Sequence, residues 1–248
     1  MQTHLHHKTI LITGATAGIG LASAQSLLQQ GARLVITGRS QSRLNHAVAQ
    51  LGGNVIPVLC DSANIEHIQQ MAAQLQRDEI KLDGLLLNAG VFYPAPFEQM
   101  SADNFNSTMA INFAGPIFTL QALLPCLNHP SSVVFVSSVA VQKAFAGAGV
   151  YSASKAAFEG FARVLNLELA ARGIRINSVR PGVTATEIQA KAGMDDASIN
   201  GFFESLNTIP VGRVLTPADI VPAISYLLSD ASIGLRNANI DINGGFGL

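Results

Sequence analysis

The 248-residue chain contains 48% apolar and only 12% charged residues, and its formal net charge is −1. Its length suits one large α/β domain, and its composition is typical of a sheet buried on both faces or of a surface hidden in an oligomer. The absence of basic or acidic blocks argues against nucleic acid or an anionic membrane as a partner, and no apolar run reaches membrane-spanning length.

The first residues and the two cysteines favour a cytoplasmic protein. The N-terminal apolar stretch is too short for a signal peptide. His4, His6 and His7 have no cysteine or acidic partner nearby, so we expect a solvated leader rather than a metal site, and we expect no metal elsewhere. Cys60 and Cys126 lie far apart in apolar surroundings, which predicts reduced thiols in the core.

Short β-rich runs alternate with longer helical patterns along the chain. The predicted strands are residues 8–13, 33–37, 54–59, 84–88, 132–138, 174–179 and 238–243. The predicted helices are residues 18–30, 41–51, 64–77, 101–127, 150–171 and 217–229, the last one starting at Thr216 and Pro217. Most strands are continuous apolar runs, which indicates a parallel, doubly wound sheet in a single domain. Residues 184–213 interrupt the alternation and are predicted to form a lid or substrate loop that carries Phe202 and Phe203.

Unusual residues follow each of the first six predicted strands. Ligand sites in doubly wound sheets form beyond the carboxyl ends of the strands, so these residues are expected to meet in one site. They are, in strand order, Gly14, Arg39, Asp61, Asn88, Ser138 and Pro181.

The first turn reads TGATAGIG over residues 13–20. Glycines at positions 14, 18 and 20 permit a tight turn, close approach of a ligand to the backbone, and tight packing of the next helix. The N-terminus of that helix suits a pyrophosphate. A plain strand-to-helix turn without a ligand remains the alternative interpretation.

The second strand ends in ITGRS, residues 36–40, without an acidic residue. An NAD site usually has a carboxylate at this point, whereas an arginine accommodates the 2′-phosphate of NADP. Arg39, assisted by Arg43, therefore favours NADP(H), with NAD(H) as the alternative. Arg39 is also compatible with a simple exposed surface position.

The stretch YSASK, residues 151–155, places Tyr151 and Lys155 on one helical face. An ammonium group beside a phenol favours the phenolate, which would make the pair a tuned acid/base. Taken alone, the spacing is more typical of an exposed helical face than of an acid/base pair.

The four motifs TGATAGIG, NAG (88–90), YSASK and PGVTAT (181–186) together resemble the short-chain dehydrogenase/reductase family, in particular the carbonyl reductases similar to 3-oxoacyl-acyl-carrier-protein reductases. The resemblance runs from residue 8 to residues 244–245. It implies a Rossmann-type domain with a seven-stranded parallel sheet, commonly assembled as a homotetramer. It also implies hydride transfer between NAD(P) and a carbonyl or alcohol carbon.

The resemblance assigns four catalytic residues. Tyr151 is the expected proton donor or acceptor, and Lys155 is expected to lower the pKa of Tyr151 and bind the nicotinamide ribose. Ser138, rather than the adjacent Ser137, matches the serine that hydrogen-bonds the substrate oxygen, and Asn112 matches the catalytic asparagine. The expected cofactor-binding residues are Gly14, Thr16, Gly18, Ile19, Gly20, Arg39, Asp61, Ser62, Asn88, Ala89, Gly90, Tyr151, Lys155, Pro181, Gly182, Thr184 and Thr186.

Pro116 adds a prediction that follows from helix geometry. It has no N–H to give to the carbonyl of Asn112, so the helix is expected to kink and to expose that carbonyl, as in the family's proton relay. An ordinary proline kink is the alternative.

Two positions depart from the family pattern. Ala17 stands where many NADP-preferring relatives have a basic residue, and Asn243 stands where relatives often have aspartate.

The expected function is the NADP(H)-dependent reduction of a ketone or other carbonyl to a secondary alcohol, or the reverse. A non-catalytic NADP-binding regulator or scaffold on the same fold is the alternative. The candidate substrate wall is mainly apolar, which favours an apolar or aromatic ketone or a 3-oxoacyl chain. Its members are Tyr93, Pro94, Phe97, Val139, Val141, Gln142, Phe145, Ile188, Phe202 and Phe203. Lys143, Arg172 and Lys191 are the candidate basic residues for an acyl carrier protein.

Overall fold

The computed structural model describes residues 5–246 and 248, and it is built on a seven-stranded parallel sheet with the strand order β3-β2-β1-β4-β5-β6-β7. His4 lies outside the described residues. The strands are β1 (Thr9–Ile12), β2 (Arg33–Gly38), β3 (Val55–Leu59), β4 (Leu82–Leu87), β5 (Leu127–Val136), β6 (Ile174–Pro181) and β7 (Asn239–Ile242). This is the doubly wound sheet that the sequence predicts, and the chain order reverses between β1 and β4.

Helices cover both faces of the sheet. They are α1 (Gly18–Gln29), α2 (Gln41–Leu51), α3 (Ile65–Arg77), α4 (Ala102–Met109), α5 (Gly115–Leu123), α6 (Gly149–Glu168), α7 (Ile188–Lys191), α8 (Asp196–Ser205) and α9 (Pro217–Leu228). Within the described part of the chain, no helix is long and apolar enough to cross a membrane.

Two apolar cores lie on opposite faces of the sheet. In β1, Leu11 packs into the core shared with α3, α5 and α6, whereas Ile10 and Ile12 pack into the core shared with α1, α2 and α9. Successive side chains of a strand point to opposite faces, so a strand covered on both sides must be apolar throughout. This explains why the strands are continuous rather than alternating apolar runs.

The predicted helix over residues 101–127 is interrupted. A π-helical turn (Ala110–Ala114) separates α4 from α5, and the N–H of Gly115 donates to the carbonyl of Ala110. Pro116, the second residue of α5, has no N–H to continue α-helical bonding. A Cβ at Gly115 would lie 2.5 Å from the carbonyl oxygen of Ser62, so glycine lets this turn approach the segment after β3.

The strands and the interrupting segment differ in detail from expectation. β5 begins at Leu127, where the sequence predicts the end of a helix, and it ends at Val136, before the two serines. Residues 184–213, predicted to be a lid or substrate loop, contain two helices, α7 and α8. The predicted start of the last helix is confirmed, and the carboxylate of Asp219 accepts hydrogen bonds from the N–H and the hydroxyl of Thr216.

Thr13 joins the carboxyl ends of β1 and β4. Its hydroxyl oxygen accepts the N–H of Asn88 at 3.0 Å and the N–H of Ala89 at 3.1 Å. The side-chain amide of Asn88 returns two hydrogen bonds, to the carbonyls of Thr13 and Gly14, each at 3.0 Å. These four bonds fix the two turns at the chain-order reversal, where a doubly wound sheet binds its ligands.

Thr13→Val should destabilise the fold by about 1–3 kcal/mol, because it leaves two backbone N–H groups without their acceptor. Thr37→Val is the matched control, since the buried Thr37 hydroxyl on β2 has no hydrogen-bond partner among the described residues. The control variant should be neutral or more stable. Urea unfolding of both variants measures the difference, and equal losses would contradict the role given to Thr13.

Candidate active site

A cleft of about 960 Å³ opens at the carboxyl edge of the sheet. The six residues that follow or end the first six strands all line it, as the sequence predicts for one common site. They are Gly14, Arg39, Asp61, Asn88, Ser138 and Pro181.

The glycine-rich turn forms the floor of the cleft and brings the backbone close to any ligand there. Gly14 and Gly18 have φ angles of +65° and +55°, a conformation that side chains disfavour. A Cβ at Gly14 would lie 2.9 Å from the Cα of Ala89, and one at Gly20 would lie 2.5 Å from the amide nitrogen of Asn88. Ala17, the N-cap of α1, gives no side-chain hydrogen bond to the helix, so the first N–H groups stay open to an anion. These features fit a dinucleotide phosphate group.

The structure brings nearly all of the sequence-predicted cofactor residues together. Gly20 is the exception: it does not line the cleft, and its lack of a side chain serves the packing of α1 against Asn88. The residues that do line it are Gly14, Thr16, Gly18, Ile19, Arg39, Asp61, Ser62, Asn88, Ala89, Gly90, Tyr151, Lys155, Pro181, Gly182, Thr184 and Thr186.

The far end of the cleft is basic. Arg39 is exposed after β2, and Arg43 lies one turn into α2. Arg43 forms an ion pair of 2.9 Å with Glu187, which also pairs with Lys191 at 2.7 Å. Arg39 is therefore the better placed of the two arginines for a phosphate, since a carboxylate already holds Arg43.

Tyr151 and Lys155 both lie on the first part of α6 and face the cleft. The Lys155 side chain is buried, and its ammonium group donates to the carbonyl of Val136 at 2.8 Å, at the end of β5. Its Nζ lies 5.7 Å from the ring centroid of Tyr151 and 4.8 Å from that of Phe135. Phe92 packs edge-on against Tyr151, with 5.1 Å between ring centroids.

Burial governs the proton equilibria of this pair. It lowers the pKa of Lys155 to about 8, although the nearby carboxylate of Glu159 acts in the opposite direction. It also raises the pKa of Tyr151, against a lowering by the hydrogen bond with Ser138. Burial outweighs the lowering by Ser138, so the pKa of Tyr151 is raised rather than lowered as the sequence predicts.

The two adjacent serines point to different partners. The hydroxyl of Ser138 acts to lower the pKa of Tyr151, and its oxygen accepts the N–H of Ala140 at 3.1 Å. The hydroxyl of Ser137 donates to the carboxylate of Glu159 at 2.6 Å. Only Ser138 is therefore placed to share a ligand with Tyr151, as strand alternation predicts.

Asn112 lies in the π-helical turn, fully buried, and does not line the cleft. Its side-chain oxygen accepts the N–H of Val91, and its amide group donates to the carbonyl of Val91, both at 2.9 Å. The same amide donates to Ser154 on α6 at 3.1 Å. The Asn112 side chain thus ties the segment after β4 to the helix that carries Tyr151, and only its backbone remains for a proton relay.

Six of the ten candidate substrate-wall residues line the cleft: Tyr93, Pro94, Val139, Phe145, Ile188 and Phe202. The other four, Phe97, Val141, Gln142 and Phe203, do not. Phe92 and Met194 were missed, although both lie in segments that the sequence singles out, the turn after β4 and residues 184–213. Phe145 stacks on Phe246 near the C-terminus, with 5.6 Å between ring centroids.

The three candidate basic residues and Asn243 have separate surroundings. Lys191 lines the cleft, and Lys143 lies over the ring of Phe246 at 4.0 Å. Arg172 lies just before β6, at the opposite edge of the sheet, where it donates to the carbonyl of Leu124. The Asn243 side chain accepts the N–H of Gly245, and its backbone packs on Gly182.

The two cysteines are free and buried, and burial raises the pKa of Cys60 to about 11. In the described part of the chain, no group of three or more histidine, cysteine, aspartate or glutamate side chains is arranged to hold a metal ion.

Known proteins match this chain over nearly its whole length. A family model described as "Enoyl-(Acyl carrier protein) reductase" matches residues 14–247. D-threitol dehydrogenase of Mycolicibacterium smegmatis is 32% identical over 247 residues, covering 98% of this chain and 94% of that protein. 2,3-Dihydro-2,3-dihydroxybenzoate dehydrogenase of Escherichia coli is 31% identical over 245 residues, 96% of each chain.

Solved structures agree with the fold. A dehydrogenase/reductase from Sinorhizobium meliloti superposes with a TM-score of 0.89 at 28% identity, covering 100% of this chain and 99% of that one. A short-chain dehydrogenase/reductase from Serratia marcescens superposes with a TM-score of 0.88 at 26% identity, covering 99% of this chain and 100% of that one.

Lys155→Met should make the protein more stable at pH 7 by about 1–3 kcal/mol, because it removes a charge that burial disfavours. The folded-state pKa, about 8, lies below the ordinary value of 10.5. Between the folded-state and the unfolded-state pKa, the unfolded wild type binds more protons than the folded wild type, so its stability rises with pH. The difference in stability between the wild type and Lys155→Met therefore becomes smaller as the pH rises.

Urea unfolding at pH 7 and near pH 10 measures this gap. Lys81→Met, which removes an exposed lysine, is the control and should change stability little at either pH. A Lys155→Met variant that is less stable than the wild type at pH 7 would contradict the cost assigned to the buried charge.

Proposed function

This chain belongs to the short-chain dehydrogenase/reductase family, whose members are oxidoreductases acting on CH–OH or C=O groups, and we propose that it reduces a ketone to a secondary alcohol, or runs the reverse reaction, with NADP(H). The observation that carries the proposal is the buried Lys155, which lies one helical turn from Tyr151 at the inner end of the cleft. Burying a cation costs free energy, and such a cost is typical of a functional site.

The residues of the cleft fit a dinucleotide cofactor. When bound, its nicotinamide ring supplies or accepts the hydride. The turn from Gly14 to Gly18 and the start of α1 would hold the pyrophosphate, Asp61 would contact the adenine, and Lys155 would bind the nicotinamide ribose. The segment from Pro181 to Thr186 would contact the carboxamide and pyrophosphate.

Tyr151 and Ser138 act on the substrate oxygen. Both hydroxyl groups donate hydrogen bonds to the oxygen, where negative charge develops during reduction. Tyr151 then gives its proton from Oη to that oxygen. The phenol of Tyr151 is protonated at neutral pH, since burial moves its pKa further above the ordinary value of 10.0, so the proton is present when reduction needs it.

Lys155 stabilises the phenolate that forms. With a pKa of about 8, its amine is mostly charged at neutral pH, and it lies in surroundings from which water is largely excluded. An electrostatic interaction in such a site is stronger than the same interaction in water. The carbonyl of Asn112, which Pro116 cannot bond, supports the proton relay that the family resemblance suggests.

The electrostatics at the end of β2 favour NADP(H) over NAD(H). Arg39 is exposed there, and the strand ends without a carboxylate. A guanidinium group binds a phosphate through charge-assisted hydrogen bonds, while a carboxylate at this point would repel it. NAD(H) remains the alternative, because the ion pair with Glu187 keeps Arg43 from assisting Arg39 at the 2′-phosphate.

The substrate end of the cleft is mainly apolar, which suits an apolar or aromatic ketone or a 3-oxoacyl chain. Residues 184–213 act as the substrate loop of a single NAD(P)-binding domain, since Ile188, Met194 and Phe202 reach the cleft from it. Two relatives are named as dehydrogenases, of D-threitol and of 2,3-dihydro-2,3-dihydroxybenzoate. Oxidation of a secondary alcohol should therefore be tested as well as reduction of a ketone.

We also propose a homotetramer that acts in the cytoplasm. Three apolar side chains on the neighbouring helices α4 and α6 are exposed: Phe105 by 45%, Val164 by 50% and Leu167 by 78%. Exposed apolar groups on adjacent helices favour burial against another subunit. The two free thiols favour a reducing compartment. Sedimentation equilibrium measures the assembly directly.

The purified protein should oxidise NADPH in the presence of at least one ketone from a panel of apolar, aromatic and 3-oxoacyl compounds, and Tyr151→Phe should lower kcat by roughly 10²–10⁴-fold. Loss of nicotinamide absorbance measures the reaction, with NADPH and NADH side by side and both directions followed. Tyr226→Phe, on α9, is the control and should retain activity. Tight NADPH binding without turnover of any compound would instead support a non-catalytic regulator.

Arg39→Ala should weaken NADPH binding by roughly 10–100-fold, because it removes a charge-assisted contact with the phosphate, and should change NADH binding by less than about threefold. Isothermal titration calorimetry of both cofactors measures the effect without a substrate. Arg33→Ala, at the opposite end of β2, is the control. An equal loss for both cofactors would overturn the assignment of Arg39 to the phosphate.

A further inference from the structure

A second polar cluster lies behind the catalytic residues and does not take part in the chemistry proposed above. The carboxylate of Glu159 accepts two hydrogen bonds from Arg180, at 2.9 Å from Nε and 2.6 Å from Nη2. It also accepts the hydroxyl of Ser137 at 2.6 Å. The three residues belong to three elements: Ser137 follows β5, Glu159 lies on α6, and Arg180 lies on β6.

Ser137 itself lines the cleft, and the other two members of this cluster lie near residues that line it. Ser137 lies between Val136, whose carbonyl accepts the Lys155 ammonium group, and Ser138. Arg180 immediately precedes Pro181, which lines the cleft. Glu159 lies one helical turn beyond Lys155, on the same side of α6. One carboxylate therefore fixes the relative positions of the three backbone segments that carry the reactive groups.

The ion pair is largely shielded from water, with 10% of the Glu159 side chain and 14% of the Arg180 side chain exposed. A buried ion pair usually contributes little net stability, because the loss of hydration offsets the attraction between the charges. Global stability therefore gives a weak reason for its presence. Its bidentate geometry instead favours one arrangement of β5, β6 and α6.

The charge of Glu159 also reaches Lys155. It acts to raise the pKa of Lys155, against the larger lowering by burial. The other charged group facing Glu159 is Arg180, which contacts Asp241 on β7 at 3.6 Å. The side-chain amide of Gln142 donates to Asp241 at 3.2 Å. On the cleft side, the titratable group facing Lys155 is Tyr151.

We propose that Glu159 and Arg180 are positioning residues that hold Ser138 and Lys155 in their reactive arrangement, and that the carboxylate of Glu159 favours the charged Lys155 amine while the guanidinium of Arg180 opposes it. The catalytic part of this inference rests on the proposed reductase function, while the electrostatic part concerns the free protein. The two charges have opposite effects on any nearby proton equilibrium. If the ion pair were only structural and did not act electrostatically on Lys155, the two variants would not shift the Lys155 titration midpoint in opposite directions.

The decisive experiment measures the titration midpoint of Lys155 in the free protein. Protein labelled with ¹³C at the lysine ε-carbon is titrated by NMR, and the Lys155 signal is identified by its loss in Lys155→Met. Glu159→Gln removes a negative charge and should lower the midpoint by about 0.5–1 pH unit, and Arg180→Met removes a positive charge and should raise it by a similar amount. The double variant should fall between the two.

Asp230→Asn is the matched control, because it also removes one negative charge, from the exposed ion pair with Lys8 ahead of β1. It should leave the Lys155 midpoint unchanged. Shifts of opposite sign in the two single variants support the inference. Absent shifts, or shifts of the same sign, overturn it. If one single variant does not fold, the other single variant and the double variant give the sign.

The second measurement uses the carbonyl compound that the panel identifies. Glu159→Gln should lower kcat by roughly tenfold with a smaller change in KM, and should move the alkaline limb of the kcat/KM profile to lower pH. Arg180→Met should move that limb to higher pH. Opposite NMR shifts in a protein that reduces no carbonyl would contradict the proposed function and leave the electrostatic role of the ion pair intact. An active reductase without those shifts would contradict the positioning role and leave the proposed function intact.

Discussion

The contact between the Lys155 ammonium group and the carbonyl of Val136 is the constraint on which the rest of the site depends. It places a cation at the inner end of the cleft, where α6 meets the end of β5. Tyr151 lies one turn away on the same helix, and Ser138 follows the same strand end. A small displacement of the helix along the strand would therefore separate the phenol from both the ammonium group and the serine. The packing of α6 on the sheet is thus as much a part of the site as its polar groups.

The site carries its polar groups against the tendency of a buried core to exclude them. Lys155 and the pair of Glu159 and Arg180 all lie in poorly hydrated surroundings, where charges are costly. Two large apolar cores, one on each face of the sheet, offset that cost. In return, poor hydration strengthens each electrostatic interaction in the site. The same burial that lowers stability also raises the pKa of the Tyr151 phenol.

Most of the fold and the location of the cleft could be predicted, because they depend on local signals. Continuous apolar strands require a sheet covered on both faces, and strand ends in a parallel sheet must meet at one edge. The sequence did not reveal features that depend on three-dimensional surroundings. Desolvation reversed the expected pKa shift of Tyr151, and the side chain of Asn112 turned away from the cleft to hold Val91. Pro116 marked an irregular helix correctly, but the π-helical turn also required Gly115 to approach Ser62, a contact distant in sequence.

The stacking of Phe145 on Phe246 connects the substrate end of the cleft to the last residues of the chain. Lys143 lies over the ring of Phe246. The segment before α6 and the C-terminal residues therefore pack together beside the cleft. Leu248, two residues beyond Phe246, is fully exposed. Any polypeptide fused after Leu248, such as an affinity tag, would consequently emerge near Pro210 and Val211, at the end of the proposed substrate loop.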